Sequence, residues 1–173
     1  PLSPYGVTKL AGAIYLDAYR AMHGLSGTTL ALANVYGPRQ DPHGEAGVVA
    51  IFARRLLAGR TCVVYGSGEQ TRDFVFVGDV ADAFIRAGDT VDGGLFNIGT
   101  SVETSVNELY RSMSTLAQGP VEPERQDERT GEILRSALDS TLAGQQLGWS
   151  PTTTLENGLG QTLDWFAENA PAN

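Results

Sequence analysis

Apolar residues in this chain switch repeatedly between the helical and the extended period, and that alternation narrows the possible fold more than any other feature. Over 5–23, Val7, Leu10, Ala11, Ile14 and Ala18 recur at helical spacing and mark one apolar face. Ser3-Pro4 offers a hydroxyl cap and a first-turn proline, and Gly24 is a stop. The run 28–33 (TTLALA) is short, apolar and partly β-branched, which predicts a buried strand. Residues 34–47, rich in Pro, Gly, Asp and His, read as one long loop, and loops of that length are often functional. A helix over 48–58, ended by Gly59, precedes strands over 61–65 and 73–77. The glycine turn Gly66-Ser67-Gly68 between those strands is read as a hairpin. Helices over 79–87, 105–116, 139–147 and 155–168 and a strand over 95–98 complete the pattern. In the last helix Leu155, Leu159, Leu163 and Phe166 form one stripe. The polar, charged stretch 118–132 is expected to be surface loop. The fold class is α/β.

Composition removes several functions. At 173 residues the chain has the length of one domain that can bury a real core. Twelve basic residues against twenty acidic ones, a formal charge of −8, argue against nucleic acid as a partner. No apolar run approaches the ~20 residues of a membrane span, so no membrane partner is expected. The single cysteine, Cys62, allows neither an internal disulfide nor a Cys-based zinc site. Its place in a strand predicts a small buried apolar residue. His23 and His43 lie too far apart to make a metal cluster, so no metal is expected. The reading is an acidic globular protein of the cytoplasm. The chain begins at Pro1, which suggests a processed or truncated product. Its basic residues are eleven arginines and one lysine, Lys9.

That lysine stands four residues after Tyr5, on the same helix face. A nearby ammonium favours a phenolate, and a tyrosine so tuned can act as general acid or base. The competing reading is an exposed tyrosine stacked on a lysine stem, which is common on helices. Here the flanks matter, because the segment reads Ser3-Pro4-Tyr5-Gly6-Val7-Thr8-Lys9.

Pro-Tyr-Gly-x-x-Lys at a helix start resembles the active-site motif of the extended short-chain dehydrogenase/reductase family, the NAD-dependent epimerases and dehydratases of nucleotide sugars. Further segments match in the family's order. Asn34-Val35-Tyr36-Gly37-Pro38-Arg39-Gln40 is similar to its post-strand loop, and Gly66-Ser67-Gly68 through Arg72-Asp73-Phe74-Val75-Phe76-Val77 to its G-x-G-x-x-x-R-D-F segment. Phe96-Asn97-Ile98-Gly99-Thr100 and Leu147-Gly148-Trp149-Ser150-Pro151 also fit. The likeness covers nearly the whole chain and is closest to the UDP-glucose 4-epimerase subgroup.

The resemblance implies roles. Tyr5 would exchange a proton with a sugar hydroxyl while hydride passes between the sugar and NAD, and Lys9 would hold the cofactor ribose. Pro38 would sit near the nicotinamide. Arg72 and Arg129 would contact the substrate diphosphate, Asn34 a phosphate, and Glu132 the nucleotide ribose. Tyr65 and Val48 would line the base pocket. Arginine suits such a role because its planar fork can hold two phosphate oxygens. Against this, Arg72 could simply pair with Glu69 or Asp73, and Arg129 is surrounded by Asp127, Glu128 and Glu132. The segment Val63–Thr71 imitates a dinucleotide fingerprint, but such a fingerprint needs a helix after the turn and here a strand follows.

The family's N-terminal strand–glycine turn–helix and its upstream Ser/Thr have no counterpart ahead of Tyr5. The chain therefore reads as the C-terminal portion of a Rossmann-type enzyme. Residues 1–33 would hold the active-site helix and the last part of the core. Residues 34–173 would be mainly the substrate-binding region, with 61–87 and 95–98 able to return to the core. Ala31 and Leu32 replace an Arg-aromatic pair common in relatives, and Ser67 stands where aspartate is frequent. The expected activity is epimerisation between UDP-glucose and UDP-galactose, with a UDP-sugar as partner and a homodimer formed through the tyrosine helix. The alternatives are a nucleotide-sugar 4,6-dehydratase, a uronate epimerase or decarboxylase, and a non-catalytic nucleotide-sugar or NAD(P)-binding remnant. The intact Tyr5–Lys9 pair argues against the last.

Overall fold

A computed structural model describes residues 4–43, 47–90, 93–129 and 131–169. The chain begins with α1 (Pro4–His23), β1 (Thr29–Leu32), β2 (Asn34–Tyr36) and α2 (Val48–Leu57). Next come β3 (Val63–Tyr65), β4 (Thr71–Arg72), β5 (Phe74–Phe76) and α3 (Val77–Thr90). It ends with β6 (Leu95–Ile98), β7 (Thr104–Ser105), α4 (Val106–Leu116), β8 (Glu124–Gln126), α5 (Thr141–Leu147) and α6 (Leu155–Glu168). The Ser3 cap expected ahead of α1 lies outside the described residues. No helix among the described residues is long and apolar enough to cross a membrane.

Strand pairing is mostly parallel. β1 pairs with β6 and β2 with β5, each in parallel register. β1 and β2 are nearly one strand that changes partner: the Ala33 amide donates to the Ile98 carbonyl and the next amide, of Asn34, to the Asp73 carbonyl. Asn34 therefore marks the point where the chain leaves one neighbour for another.

Three sequence expectations need correction. The stretch from residue 34 is not loop at its start, because β2 occupies Asn34–Tyr36 alongside β5. The region 118–132 contains β8, whose residues Glu124, Arg125 and Gln126 are all exposed. It is a strand through backbone bonding to β3 alone, so it carries no apolar alternation to read. The third correction is the hairpin. β3 pairs in parallel with β8 and β5 with β2, so the two strands flanking the glycine turn do not pair with each other. Gly66 (φ 62°) and Gly68 (φ 76°) adopt left-handed backbone. A Cβ at Gly68 would land on the Asn107 side chain, so the close approach there also requires glycine.

Two apolar clusters form the interior. Tyr36, Phe74 and Leu159 join α2 and α4 residues such as Phe52 and Leu109 in one. Val75, Phe96, Ile98 and Trp149 join α3 and α5 in the other. Phe74 and Val75 are sequence neighbours on β5 yet serve opposite clusters, as the two-residue period of a strand requires. Two buried carboxylates stitch loops to this body. Asp79, in the first turn of α3, accepts from Thr152 Oγ1 (2.7 Å) and from the amides of Thr152 and Thr153, while its carbonyl accepts from Trp149 Nε1. Asp73, 1 % exposed, accepts from Thr100 N (2.9 Å), Thr100 Oγ1 (2.6 Å), Ser101 N (3.1 Å) and Leu138 N (3.2 Å). Cys62 is fully buried, and burial pushes its thiol up to about 11, against a lesser opposing pull from Arg55.

α1 stands apart from both clusters. None of its residues is buried, and Val7 (53 %), Leu10 (47 %) and Ile14 (60 %) are widely exposed. The apolar face read from the sequence exists, but within this chain it is not covered.

Candidate active site

Six of the nine predicted site residues fall into two groups. Tyr5 and Lys9 lie in the first turns of α1, where four-residue spacing brings their side chains together. Lys9 Nζ stands 5.1 Å from the centroid of the Tyr5 ring, and both residues face solvent. The Thr8 hydroxyl bonds back to the Tyr5 carbonyl.

The second group gathers around the end of β3. Tyr65, Gly66, Ser67, Gln70 and Glu132 help line a cavity of about 370 Å³. Arg129 sits over the Tyr65 ring, its guanidinium carbon 3.8 Å from the ring centroid. That stacking, rather than an ion pair with its acidic neighbours, is what holds Arg129, and guanidinium planes favour such faces. Arg72 pairs with neither Glu69 nor Asp73. Its Nη1 donates to the carbonyls of Thr71 (2.7 Å) and Ile133 (2.6 Å), and its Nη2 lies 3.5 Å from Glu132 Oε1. Glu69 instead accepts from the Asn107 amide at 2.6 Å. Four residues from distant parts of the chain (Tyr65, Arg72, Arg129 and Glu132) are thus brought to one place. Thr130, between Arg129 and Gly131, lies outside the described residues.

The other expected residues sit apart from both groups. Asn34 opens β2 with an exposed side chain, its backbone beside that of Asp73, which follows Arg72. Val48 is the first residue of α2 and packs against the first apolar cluster. The cap residue ahead of it, Gly47, has no side chain to satisfy the helix's first amides. Pro38 is half-buried in the turn after β2.

Sequence reasoning missed the residues that hold this site in shape. Gln70, buried, donates its amide to the Tyr65 carbonyl (3.1 Å) and to Glu132 Oε1 (3.4 Å), linking the aromatic end of β3 to the carboxylate. Glu103 accepts from Thr71 Oγ1 (2.5 Å) and from both Arg135 Nε (2.9 Å) and Nη2 (2.7 Å). With the backbone bond from Thr71 N to the Leu134 carbonyl, this pins residues 132–135 along β4. Polar residues within polar runs carry no periodic signal, so nothing local distinguishes these two.

The bonds from Arg135, then from Thr71, hold the Glu103 carboxyl at about 2 against a usual 4.5. A carboxyl lowered on folding stabilises the fold above its ordinary range, and that contribution is lost as pH falls toward 2. Glu103→Gln is therefore expected to melt below the parent protein at pH 6, and the two melting temperatures should converge near pH 2. A constant gap across that range would show that the ion pair does not link folding to pH.

Among the described residues, no group of three or more His, Cys, Asp or Glu side chains is placed to hold a metal ion. The groups present are phenol, ammonium and guanidinium donors for phosphate oxygens and a carboxylate acceptor for hydroxyls.

The sequence profile of the NAD dependent epimerase/dehydratase family matches residues 1–99. The chain belongs to that family. It is 52 % identical over 167 residues to a UDP-glucose 4-epimerase of Mycolicibacterium smegmatis, covering 96 % of this chain and 53 % of that protein. The crystal structure of a UDP-glucose 4-epimerase with UDP-glucose from Thermotoga maritima superposes with a TM-score of 0.95 at 44 % identity, over 97 % of this chain and 54 % of that one. A Thermus thermophilus UDP-glucose 4-epimerase in complex with NAD gives a TM-score of 0.88 at 40 % identity, over 98 % of this chain and 55 % of that one. The chain thus spans about half the length of the epimerases it matches, and its α/β fold is that of about half of such an enzyme.

Proposed function

We propose that this chain is the substrate-binding and proton-transferring part of an NAD-dependent nucleotide-sugar epimerase that interconverts UDP-glucose and UDP-galactose. The observation that carries the reading is one cavity lined by Tyr65 and Glu132, with Arg129 stacked over Tyr65 and Arg72 paired to Glu132. Two guanidinium groups, an aromatic face and a carboxylate are what a nucleoside diphosphate needs for its phosphates, base and ribose. The relatives named above support the choice of sugar, since both crystallised proteins and the mycobacterial one are UDP-glucose 4-epimerases.

In this reading the chain divides functionally. Residues 1–33 carry the active-site helix and the edge of a Rossmann-type core. Residues 34–173 mainly bind substrate, and 61–87 and 95–98 return to that core. Arg72 is pre-aimed by the Thr71 and Ile133 carbonyls, and its Nε–H, without an acceptor among the described residues, would meet a phosphate oxygen. Arg129 covers Tyr65 and would move little to reach the same diphosphate. Asn34 adds a phosphate contact, Val48 and Tyr65 border the base, and Glu132 takes the ribose hydroxyls.

Tyr5 is the group that takes a proton from the sugar hydroxyl and later returns it. Lys9 keeps a positive charge beside the Tyr5 ring and donates to the cofactor ribose, with Pro38 near the nicotinamide. The exposed phenol–ammonium pair fits the hydroxyl-bearing end of NAD. Bound NAD would supply the hydride acceptor and donor that this chemistry requires. No strand–glycine turn–helix unit for its pyrophosphate occurs among the described residues. The uncovered face of α1 then meets further protein, in part a second copy of the enzyme.

Calorimetric titration of UDP tests the binding half of this proposal. Arg72→Gln removes a charge-assisted contact and is expected to weaken UDP about 10- to 100-fold. It should leave uridine, which lacks phosphates, nearly unaffected. Equal loss for both ligands, or no loss, would remove Arg72 from the diphosphate site.

A further inference from the structure

A second, larger cavity of about 770 Å³ lies where α2 ends, between the 39–43 turn and the end of α6. It shares no lining residue with the cavity at Tyr65. Arg39, Arg54, Arg55 and Arg60 line it together with His43 and Trp165. Four of the eleven arginines of a chain with net charge −8 thus face one concavity.

Among the described residues, none of these four arginines lies within salt-bridge distance of a carboxylate; the described ion pairs involve Arg20, Arg72, Arg86 and Arg135 instead. Asp41, the one acidic residue among the described residues of the lining, is turned to the His43 backbone amide. Arg54 Nη1 rests 2.7 Å from the imidazole of His43, a partner that need not be negative. Arg55 is steered by its Nε bond to the Thr61 carbonyl (2.7 Å), which leaves its terminal nitrogens for other acceptors. Satisfying the carbonyl end of α2 does not explain the cluster. The amides of Ala58, Gly59 and Arg60 already bond the carbonyls of Arg54, Leu56 and Arg55. Arg39 is also held at a left-handed φ of 69°, uncommon for a residue with a side chain.

Guanidinium groups that share one concavity repel one another, and such an arrangement of four is stabilised by a compact anion of high charge. The overall acidity disfavours an extended polyanion such as nucleic acid, whose binding needs a basic surface rather than one basic pit. We propose that this cavity is a second anion site, separate from the nucleotide-sugar site, that takes the oligophosphate group of a small molecule. Both a nucleoside triphosphate and a free oligophosphate present that group. The half-buried indole of Trp165 in the wall offers a surface only the former could use.

The test is calorimetric titration of tripolyphosphate and of ATP into the intact protein that carries this chain. Parallel titrations use Arg54→Gln/Arg60→Gln, Arg54→Lys/Arg60→Lys and Arg72→Gln. Arg54 and Arg60 are exposed, and thermal melts check that the variants fold. One site per chain is expected for either probe. Its affinity should drop at least tenfold in the double glutamine variant, recover in large part in the double lysine variant, and persist in Arg72→Gln. Tighter ATP binding with quenching of Trp165 fluorescence identifies a nucleotide ligand, and equal affinities identify the oligophosphate alone; either result upholds the site. Absence of binding, affinity unchanged by the double glutamine variant, or affinity lost with Arg72→Gln would overturn it. The last outcome would assign the anion to the nucleotide-sugar site.

Discussion

Replacing Tyr5 by Phe in the intact enzyme is expected to lower interconversion of UDP-glucose and UDP-galactose by about 10²–10⁴-fold, the range for loss of a positioned acid/base group. The ring, its place on α1 and its contact with Lys9 survive the change, and only the hydroxyl is lost. Tyr5 lies in the α1 group and Arg72 in the cavity group, so UDP affinity should stay within about twofold of the parent. The split decides between roles. A fall in kcat with little change in UDP binding assigns Tyr5 to proton transfer. Loss of UDP binding would make it a substrate contact. Full turnover in Tyr5→Phe would remove it from the chemistry, and no turnover in the parent protein would favour a non-catalytic nucleotide-sugar binder.

Asp73→Ala is expected to be the most damaging single change to the fold near the site. The buried carboxylate accepts four bonds from Thr100, Ser101 and Leu138, and its removal strands three backbone amides and a hydroxyl. An unsatisfied buried polar group costs about 1–3 kcal/mol, and partial access of water to these donors places the total near 3 kcal/mol. For a chain of this size that lowers the melting temperature by about 6–12 °C. Asp73→Asn keeps one acceptor oxygen and should lose roughly half as much. Because Asp73 follows Arg72 and anchors Leu138, the alanine variant should also loosen residues 132–138 and weaken UDP binding. Thermal melting and UDP titration of the same samples check both effects. A melting temperature within about 2 °C of the parent would mean that water satisfies the four donors.

The structure explains why some of this was legible beforehand. The helices over 5–23 and 155–168 and the strand over 95–98 were readable because each encodes its own period. Glu108 and Ser105 even form a reciprocal cap that their three-residue spacing announces. Tyr5 and Lys9 were readable because both lie on one helix, where separation along the chain fixes separation in space. Arg72, Arg129, Glu132 and Tyr65 were nominated through family resemblance. For the two arginines the surroundings in sequence pointed elsewhere, to ion pairs with adjacent acids that do not form among the described residues. Gln70 and Glu103 carried no signal at all, since both lie in polar runs and the side chains they meet, Glu132 for Gln70 and Thr71 for Glu103, are 62 and 32 residues away.

The sequence by itself determined the helices, the strands that carry an apolar pattern, and the phenol–ammonium pair on α1. Those properties depend on side-chain chemistry at short range. Tertiary structure alone decided that β3 takes β8 rather than β5 as its neighbour, that Arg72 meets Glu132, and that four arginines converge beyond α2. Backbone donors and acceptors are the same at nearly every residue. The choice among possible strand partners, and so among possible neighbours for each arginine, therefore rests on how the whole chain packs its two apolar clusters.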